Sequence, residues 1–193
     1  MKITGIDLSL TGTGVAEIHW NGTAAMVETS VLTSKGTLKD TLAQRYGRQH
    51  GLLYSILGYA RGSDLVVIET LFAAQNAGSL IDRAGLWWRV VGVLIACDVP
   101  VVYMTATQGK KFLTGNGGAD KGAMVHWAGK LWPEWIPATE KNVNDEADAI
   151  ALASTGLALM VDDHTPLFPM PEYRRKILDD LTKQQQIKEG VPA

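Results

Sequence analysis

Four carboxylates in this sequence occupy positions from which they could act together. Asp7 and Glu69 each end a short apolar run that is typical of a β-strand. If the two strands are parallel neighbours, their carboxyl ends meet at one edge of the sheet. Asp145 and Asp148 are three residues apart at the start of a predicted helix and share one helix face. Glu69 directly follows Leu-Val-Val-Ile, where an acid without a partner is costly to bury.

Carboxylates held this close would repel, so each would gain a proton or need a cation. Mg²⁺ is the cation that such oxygen ligands suit best. Two such ions, roughly 3.5–4 Å apart, can activate a water and stabilise the leaving oxygen at one phosphate. Each acid also has a simpler interpretation, because strand-end aspartates commonly form turns and Asp145 would favour the helix dipole.

The charge of the chain is unevenly distributed. The formal net charge is −2, from 18 Lys and Arg against 20 Asp and Glu, which does not indicate a generally basic nucleic-acid binder. Residues 105–132 carry a net charge of +3, whereas residues 140–163 carry −5. A basic segment beside an acidic cluster is what a metal-dependent nuclease needs, although chance surface variation can give the same pattern.

The apolar patterns predict the elements that must position these residues. Strands are expected at 3–8, 15–20, 24–32, 64–69 and 99–104, with a turn at 12–14 and a hairpin turn at Asn21-Gly22. Helices are expected at 38–59, 79–96, 105–113, 120–131 and from a cap at Asn144 to about 160. This order predicts an α/β fold: a mixed sheet with an antiparallel hairpin edge and parallel strands, flanked by helices.

Length and composition favour a single domain. The 193 residues fit one domain, which we place at 1–164, followed by a polar and peripheral C-terminal tail at 165–193. A single cysteine excludes a disulfide framework, and the acid in the first apolar run argues against a signal peptide. We therefore expect a cytoplasmic protein without a membrane partner.

Three acidic motifs resemble those of a known family. The segments 5–9, 67–72 and 144–153 are similar, in order and spacing, to the RuvC-type Holliday-junction resolvases of the ribonuclease H-like superfamily. The intervening segments 73–79 and 108–110 also resemble that family. Three motifs in order are a much more specific signal than one, and the resemblance runs from about residue 3 to about residue 158.

This resemblance implies a ribonuclease H-like fold and a site. Its catalytic and metal-binding tetrad would be Asp7, Glu69, Asp145 and Asp148, holding two Mg²⁺ ions, with Mn²⁺ expected to substitute. Lys121 would act with them at the scissile phosphate. The expected DNA contacts are Phe72, Asn76, Lys110 and Lys111, and Arg83 is a further candidate. Glu146, the additional acid in the last motif, is expected to be a helix-terminus charge.

The resemblance also implies a homodimer that cuts two opposed strands of a four-way junction. The predicted helix at 79–96 is apolar almost all round, so it must be covered on more than one side. We expect its free stripe to form the dimer interface, with Leu86, Trp87 or Val90 near the centre. Of Trp87 and Trp88, one could face the sheet and the other the partner.

Several alternatives stay open at this level. The same chemistry could act on a wider set of branched DNA, such as flaps and forks. A non-catalytic nucleic-acid-binding module would not need a complete acidic tetrad. An actin-like or sugar-kinase-like ATPase would need a second phosphate loop and a longer chain. The four histidines, at 19, 50, 126 and 164, lack metal-ligand spacing and are expected to be incidental.

Overall fold

The computed structural model describes residues 1–37, 39–71, 77–161 and 168–189, without the side chains of 77–78 and 184–189. Its five-stranded sheet has the order β3-β2-β1-β4-β5. The strands are β1 Lys2–Asp7, β2 Gly12–Trp20, β3 Ala25–Thr33, β4 Leu65–Glu69 and β5 Val101–Met104. The pairs β1–β2 and β2–β3 are antiparallel, whereas β1–β4 and β4–β5 are parallel. The predicted mixed sheet with an antiparallel hairpin edge is therefore confirmed.

Helices cover both faces of this sheet. They are α1 Leu42–Ala60, α2 Ala77–Ala96, α3 Ala106–Thr114, α4 Lys121–Leu131, α5 Val143–Met160 and α6 Glu172–Glu189. One apolar cluster joins α1 and α2 to the sheet, and a second joins α3 to α6 to the opposite face. In the part of the chain covered by the structure, no helix has the length and apolarity to cross a membrane.

Local sequence signals explain several of the element ends. The Asn21 side-chain oxygen accepts the backbone N–H groups of Thr23 and Ala24, both at 2.9 Å, and Gly22 has a positive φ of 99°. These contacts form the predicted hairpin turn. Thr41 and Thr105 are the N-cap residues of α1 and α3. Each is followed three residues later by a glutamine that completes a capping box.

Helix α5 lies almost directly on the backbone of the first two strands. A methyl group at Gly14 would stand 2.0 Å from the carbonyl oxygen of Asp145. A methyl group at Gly5 would stand 2.3 Å from the carbonyl oxygen of Ala149. Gly12 and Gly14, which we expected to form a turn, instead belong to β2, because their small size is needed under this helix.

The start of α5 differs from the expectation. The helix begins at Val143 with Asn142 at its N-cap, so Asn144 lies inside the helix rather than capping it. Glu146 lies in the first turn of α5 as expected, but it is fully buried and therefore does more than place a charge at the helix terminus. Its carboxylate accepts hydrogen bonds from the Thr29 hydroxyl and from the backbone N–H groups of Ala138 and Thr139. These bonds, rather than a side-chain cap, fix the first turn.

The C-terminal segment is not a peripheral tail over its whole length. Ile177 and Leu181 of α6 are buried in the same apolar cluster as α5. Arg174 is also buried, and it donates to the carbonyl oxygens of Phe112 and Leu113 at the end of α3. Polar composition concealed this packing, because only one narrow face of α6 is apolar. The expected boundary at 164/165 falls in the segment 162–167, which lies outside the described residues.

Helix α2 turns a different face to solvent than the one we expected. Leu86 and Val90 are fully buried against the sheet, so neither can lie at the centre of an interface. The exposed apolar residues are Ile81, Trp88 and Ile95, with 75%, 67% and 58% of their surface accessible. Their spacing of seven residues aligns them along one side of the helix. We call this line the α2 outer face.

The contact between α5 and β2 generates a stability prediction. Gly14→Ala is expected to destabilise the protein by about 1–3 kcal/mol, the usual effect of overpacking, because backbone rather than a flexible side chain faces it. Gly51→Ala is the matched control, since a methyl group there meets no atom within 4 Å and Gly51 is inside α1. It should stabilise the protein by roughly 0.5–1 kcal/mol. Equal unfolding midpoints for the two variants in urea would contradict the close approach.

Candidate active site

The sheet brings the first two carboxylates together. In the parallel pair β1–β4, Ile6 lies opposite Ile68. Asp7 and Glu69 are the next residues of these strands, so both stand at the carboxyl ends of neighbouring strands. The backbone carbonyl of Glu69 accepts a 2.9 Å hydrogen bond from the indole N–H of Trp87 on α2. The last residue of β4 is therefore held from the α2 side of the sheet.

Helix α5 supplies the other two carboxylates. The backbone of Asp145 lies over Gly14, and Gly14 is the residue paired with Asp7 in the sheet. The Asp145 carboxylate lies near the start of β2, with one oxygen 2.9 Å from where a Cβ of Gly12 would be. Asp148 follows three residues later on the same face. The tetrad thus comes from β1, β4 and the first two turns of α5.

Burial is the main cause of the raised pKa values of the four groups, and their mutual repulsion adds to it. Burial raises the pKa of Asp7 well above its ordinary range, and the charges of Glu69, Asp148 and Asp145 raise it further. Burial and the charge of Asp148 raise the pKa of Glu69 to about 7. Burial, with a contribution from Asp145, raises the pKa of Asp148 to about 6. Burial also raises the pKa of Asp145.

Three cations face this acidic cluster: two lysines, described first, and one arginine. Lys110 of α3 lowers the pKa of Glu69 and Asp148, so its ammonium lies within electrostatic reach of both. Lys121, the first residue of α4, acts in the same way on Asp145 and Asp148.

Arg83 of α2 lowers the pKa of Asp7 and Glu69. Sequence patterns suggested Arg83 as a DNA contact but gave no sign that it faces the carboxylates, because that depends on how α2 packs beside β4.

Of the remaining predicted residues, only Lys111 lies in the described part of the chain. Lys111 is exposed on α3, next to Lys110 but off the face that meets the carboxylates. Phe72 and Asn76 fall in the segment 72–76, outside the described residues. Their assignment as DNA contacts stays a prediction from the resemblance.

The donor set of this site fits hard divalent cations. All four groups offer carboxylate oxygens, the ligands that Mg²⁺ takes in proteins. No three of these four groups place ligand oxygens within 4.8 Å of one another, so a bound ion with three of them as ligands would have to draw them closer together. Three cations for four mutually repelling carboxylates leave uncompensated negative charge, which bound cations would neutralise.

A mixed sheet of this topology, with acids on β1, β4 and a helix crossing the sheet, defines a ribonuclease H-like nuclease. Comparison with known proteins identifies the family within this class. The family model of crossover junction endodeoxyribonuclease RuvC matches residues 3–156. The chain therefore belongs to the RuvC family.

Individual relatives agree with this assignment. The crossover junction endodeoxyribonuclease RuvC of Xanthomonas oryzae pv. oryzae is 32% identical over 164 residues, covering 80% of this chain and 86% of that protein. Thermus thermophilus RuvC in complex with a Holliday junction substrate superimposes with a TM-score of 0.59 at 25% identity, covering 79% of this chain and 90% of that one. The fowlpox virus resolvase shares the fold, with a TM-score of 0.54 at 12% identity over 84% of this chain and all of that one.

The raised pKa of Glu69 generates a prediction about stability and pH. Between its ordinary value of 4.5 and about 7, the folded protein holds a proton that the unfolded chain releases. Stability must therefore fall as pH rises through this window, by on the order of 3 kcal/mol for this group. In EDTA, Glu69→Gln should raise the melting temperature at pH 8 and have little effect at pH 4.5.

Glu140→Gln is the matched control for this measurement, because Glu140 is exposed and outside the cluster. It should shift neither melting temperature. If Glu69→Gln gave the same shift at both pH values, the repulsion assigned to the carboxylate cluster would be wrong.

Proposed function

We propose that this protein is a Mg²⁺-dependent, structure-selective endonuclease that resolves four-way DNA junctions by paired phosphodiester hydrolysis. The observation that carries the proposal is a cluster of four carboxylates in which the charges of Glu69, Asp148 and Asp145 all act on Asp7. Lys110 and Lys121 lie beside this cluster. Family membership supplies the substrate class. A cytoplasmic location is part of the proposal, since a DNA-resolving enzyme of bacterial type works where chromosomal or phage DNA is found.

The four carboxylates would hold two Mg²⁺ ions, and Mn²⁺ would substitute. When bound, such ions lower the pKa of the attacking water and stabilise charge on the leaving oxygen. Asp7 and Glu69 are themselves half-buried at the carboxyl ends of β1 and β4. Ca²⁺ should permit binding with little turnover, because its longer and looser coordination misplaces the water.

The two lysines would serve the phosphate rather than the ions. Lys110 and Lys121 approach the cluster from α3 and α4, so they would flank a phosphate seated on the carboxylates. A positively charged donor placed where charge develops stabilises the transition state. Water would attack the phosphorus in line, and the family analogy implies that the products carry a 5′-phosphate and a 3′-hydroxyl.

The enzyme would act as a homodimer through the α2 outer face. Ile81, Trp88 and Ile95 form an apolar line that is exposed in the single chain. Gly92 lies between Trp88 and Ile95, and a methyl group there would meet no atom within 4 Å, so a second helix could approach closely. Two copies related by a two-fold axis present two sites to opposed strands, which matches the symmetry of a four-way junction.

The decisive experiment is cleavage of a mobile four-way junction, with flap and linear duplexes as controls, with and without Mg²⁺. Asp7→Asn should abolish cleavage while leaving junction affinity within about threefold, because binding rests on phosphate contacts and shape. Equal cleavage of all three substrates would favour the broader branched-DNA activity. Metal-independent cleavage, or normal cleavage by Asp7→Asn, would contradict the proposal.

The lysines can be tested separately from the carboxylates. Lys110→Ala and Lys121→Ala should each lower the single-turnover rate on the order of 10²–10³-fold, by analogy with the loss of one oxyanion donor. Lys176→Ala on the exposed side of α6 is the matched control and should change only weak, salt-dependent affinity. Three equal rates would remove the α3–α4 segment from the site.

The dimer interface generates the last test in this group. Trp88→Asp should give a folded monomer that nicks one strand slowly and fails to resolve junctions, because aromatic residues at interface centres often carry the binding energy. Ile136→Asp is the control, since Ile136 is 84% exposed in the segment after α4. Light scattering should show a dimer for the control and the unmutated protein. A monomeric unmutated protein that still makes paired cuts would contradict the interface.

A further inference from the structure

Two glutamates and a histidine meet on the outer strands of the sheet, away from the carboxylates of the active site. The ligand atoms of Glu17, His19 and Glu28 all lie within 4.8 Å of one another, and among the described residues no other three His, Cys, Asp or Glu meet so closely. We infer that this cluster is a second metal site, selective for Zn²⁺ or a similar borderline transition-metal ion. It is referred to below as the β2–β3 cluster.

The pairing of β2 and β3 builds this cluster. Glu17 lies directly opposite Glu28 in the antiparallel register. His19 is two residues beyond Glu17 and therefore projects from the same face of the sheet. Three ligands on two hydrogen-bonded strands need no loop to arrange them, so the geometry is largely formed in advance.

The cluster carries more negative charge than its surroundings compensate. Two carboxylates directly opposite on adjacent strands destabilise a sheet. The Lys2 ammonium pairs with Glu17 at 2.6 Å and also donates to the backbone carbonyl of Tyr59. Lys2 is already paired with Glu17, whereas Glu28 has no ion pair among the described residues, so a divalent cation would compensate the charge of Glu28.

The ligand types determine which metal would bind. An imidazole nitrogen with two carboxylates suits Zn²⁺, whereas Mg²⁺ favours oxygen ligands alone. Three protein ligands also leave a fourth position of a tetrahedral ion open. Glu17 and Glu28 line a cavity of about 950 Å³, and His19 lines a neighbouring one of about 540 Å³. Water or a donor atom from a partner could therefore reach the open position.

The cluster is separate from the proposed catalytic site. Glu17 lies opposite Thr4 in the sheet, whereas Gly14 lies opposite Asp7. Three residues along a strand correspond to roughly 10 Å. The two sites also lie on different faces, because Gly14 faces α5 and odd-numbered positions of β2 face the other way. The inference therefore stands independently of the proposed nuclease activity.

The test is calorimetric titration of the full-length protein with ZnCl₂ in excess MgCl₂, so that Mg²⁺ occupies the carboxylate-only site. We expect one Zn²⁺ per chain, and the same stoichiometry in Asp7→Asn. His19→Ala and Glu28→Gln should each weaken Zn²⁺ binding at least tenfold. His126→Ala is the matched control, because His126 is an exposed histidine on α4 beside Trp127, and it should bind as the unmutated protein does.

Thermal melting gives a second readout that also reports folding. Zn²⁺ should raise the melting temperature of the unmutated protein, because a ligand that binds only the folded state stabilises it, and this increase should vanish in His19→Ala. Both cluster variants should keep Mg²⁺-dependent junction cleavage if the proposed function holds. No Zn²⁺ binding in excess Mg²⁺, unchanged binding in both variants, or loss of binding in Asp7→Asn alone would overturn the inference.

Discussion

The contact on which the rest of this structure depends is the close seating of α5 on the backbone of β1 and β2. Gly5 and Gly14 leave no side chain between the helix and the strands. Near the other end of the helix, a methyl group at Gly156 would collide with the side chains of Ile3 and Val67. This short distance brings the first turns of α5 to the carboxyl ends of β1 and β4. A side chain at position 14 would lift the helix, and Asp145 would leave the residues it must work with. The close packing of α5 and the position of its carboxylates therefore depend on the same glycines.

Close packing alone does not fix the rotation of α5 about its own axis. The hydrogen bonds of Glu146 fix that rotation. Its buried carboxylate is held by Thr29 of β3 and by the backbone of 138–139, while the Trp135 indole donates to the same threonine at 3.0 Å. A buried charge is costly unless its hydrogen bonds are satisfied, and these bonds satisfy it. Because Glu146 lies in the same first turns of α5 as Asp145 and Asp148, fixing its direction also fixes the directions of these two carboxylates. The fold thus uses one satisfied carboxylate to hold two repelling ones in place.

The strands and the mixed sheet could be predicted from the sequence because they depend on periodicity. The resemblance, through motifs found in order, also indicated that Asp7, Glu69, Asp145 and Asp148 would cluster near Lys110 and Lys121, while their catalytic roles stay a proposal. The features that could not be predicted depend on which residues come into contact in the folded chain. Leu86 and Val90 looked equivalent to Trp88 on an apolar helix, and only the packing of α2 separates buried from exposed sides. The glycines at 12 and 14 have the composition of a turn, and their use under α5 requires knowing that a helix 130 residues later crosses them. His19 has no ligand spacing along the chain, since its neighbour Glu28 comes from the next strand.

Helix α2 connects the proposed interface to the site through two adjacent tryptophans. Trp87 points inward and donates to the backbone carbonyl of Glu69, whereas Trp88 points outward on the α2 outer face. Leu86 and Val90 fix the helix against the sheet, so a displacement of its outer side cannot be absorbed by loose packing between them. A partner seated on Trp88 would therefore act on the same rigid element that holds the end of β4. In the proposed dimer, Trp88 at the interface would be adjacent in the chain to Trp87, which holds the Glu69 backbone. Pairing would then have a physical route to the site beyond placing two sites side by side.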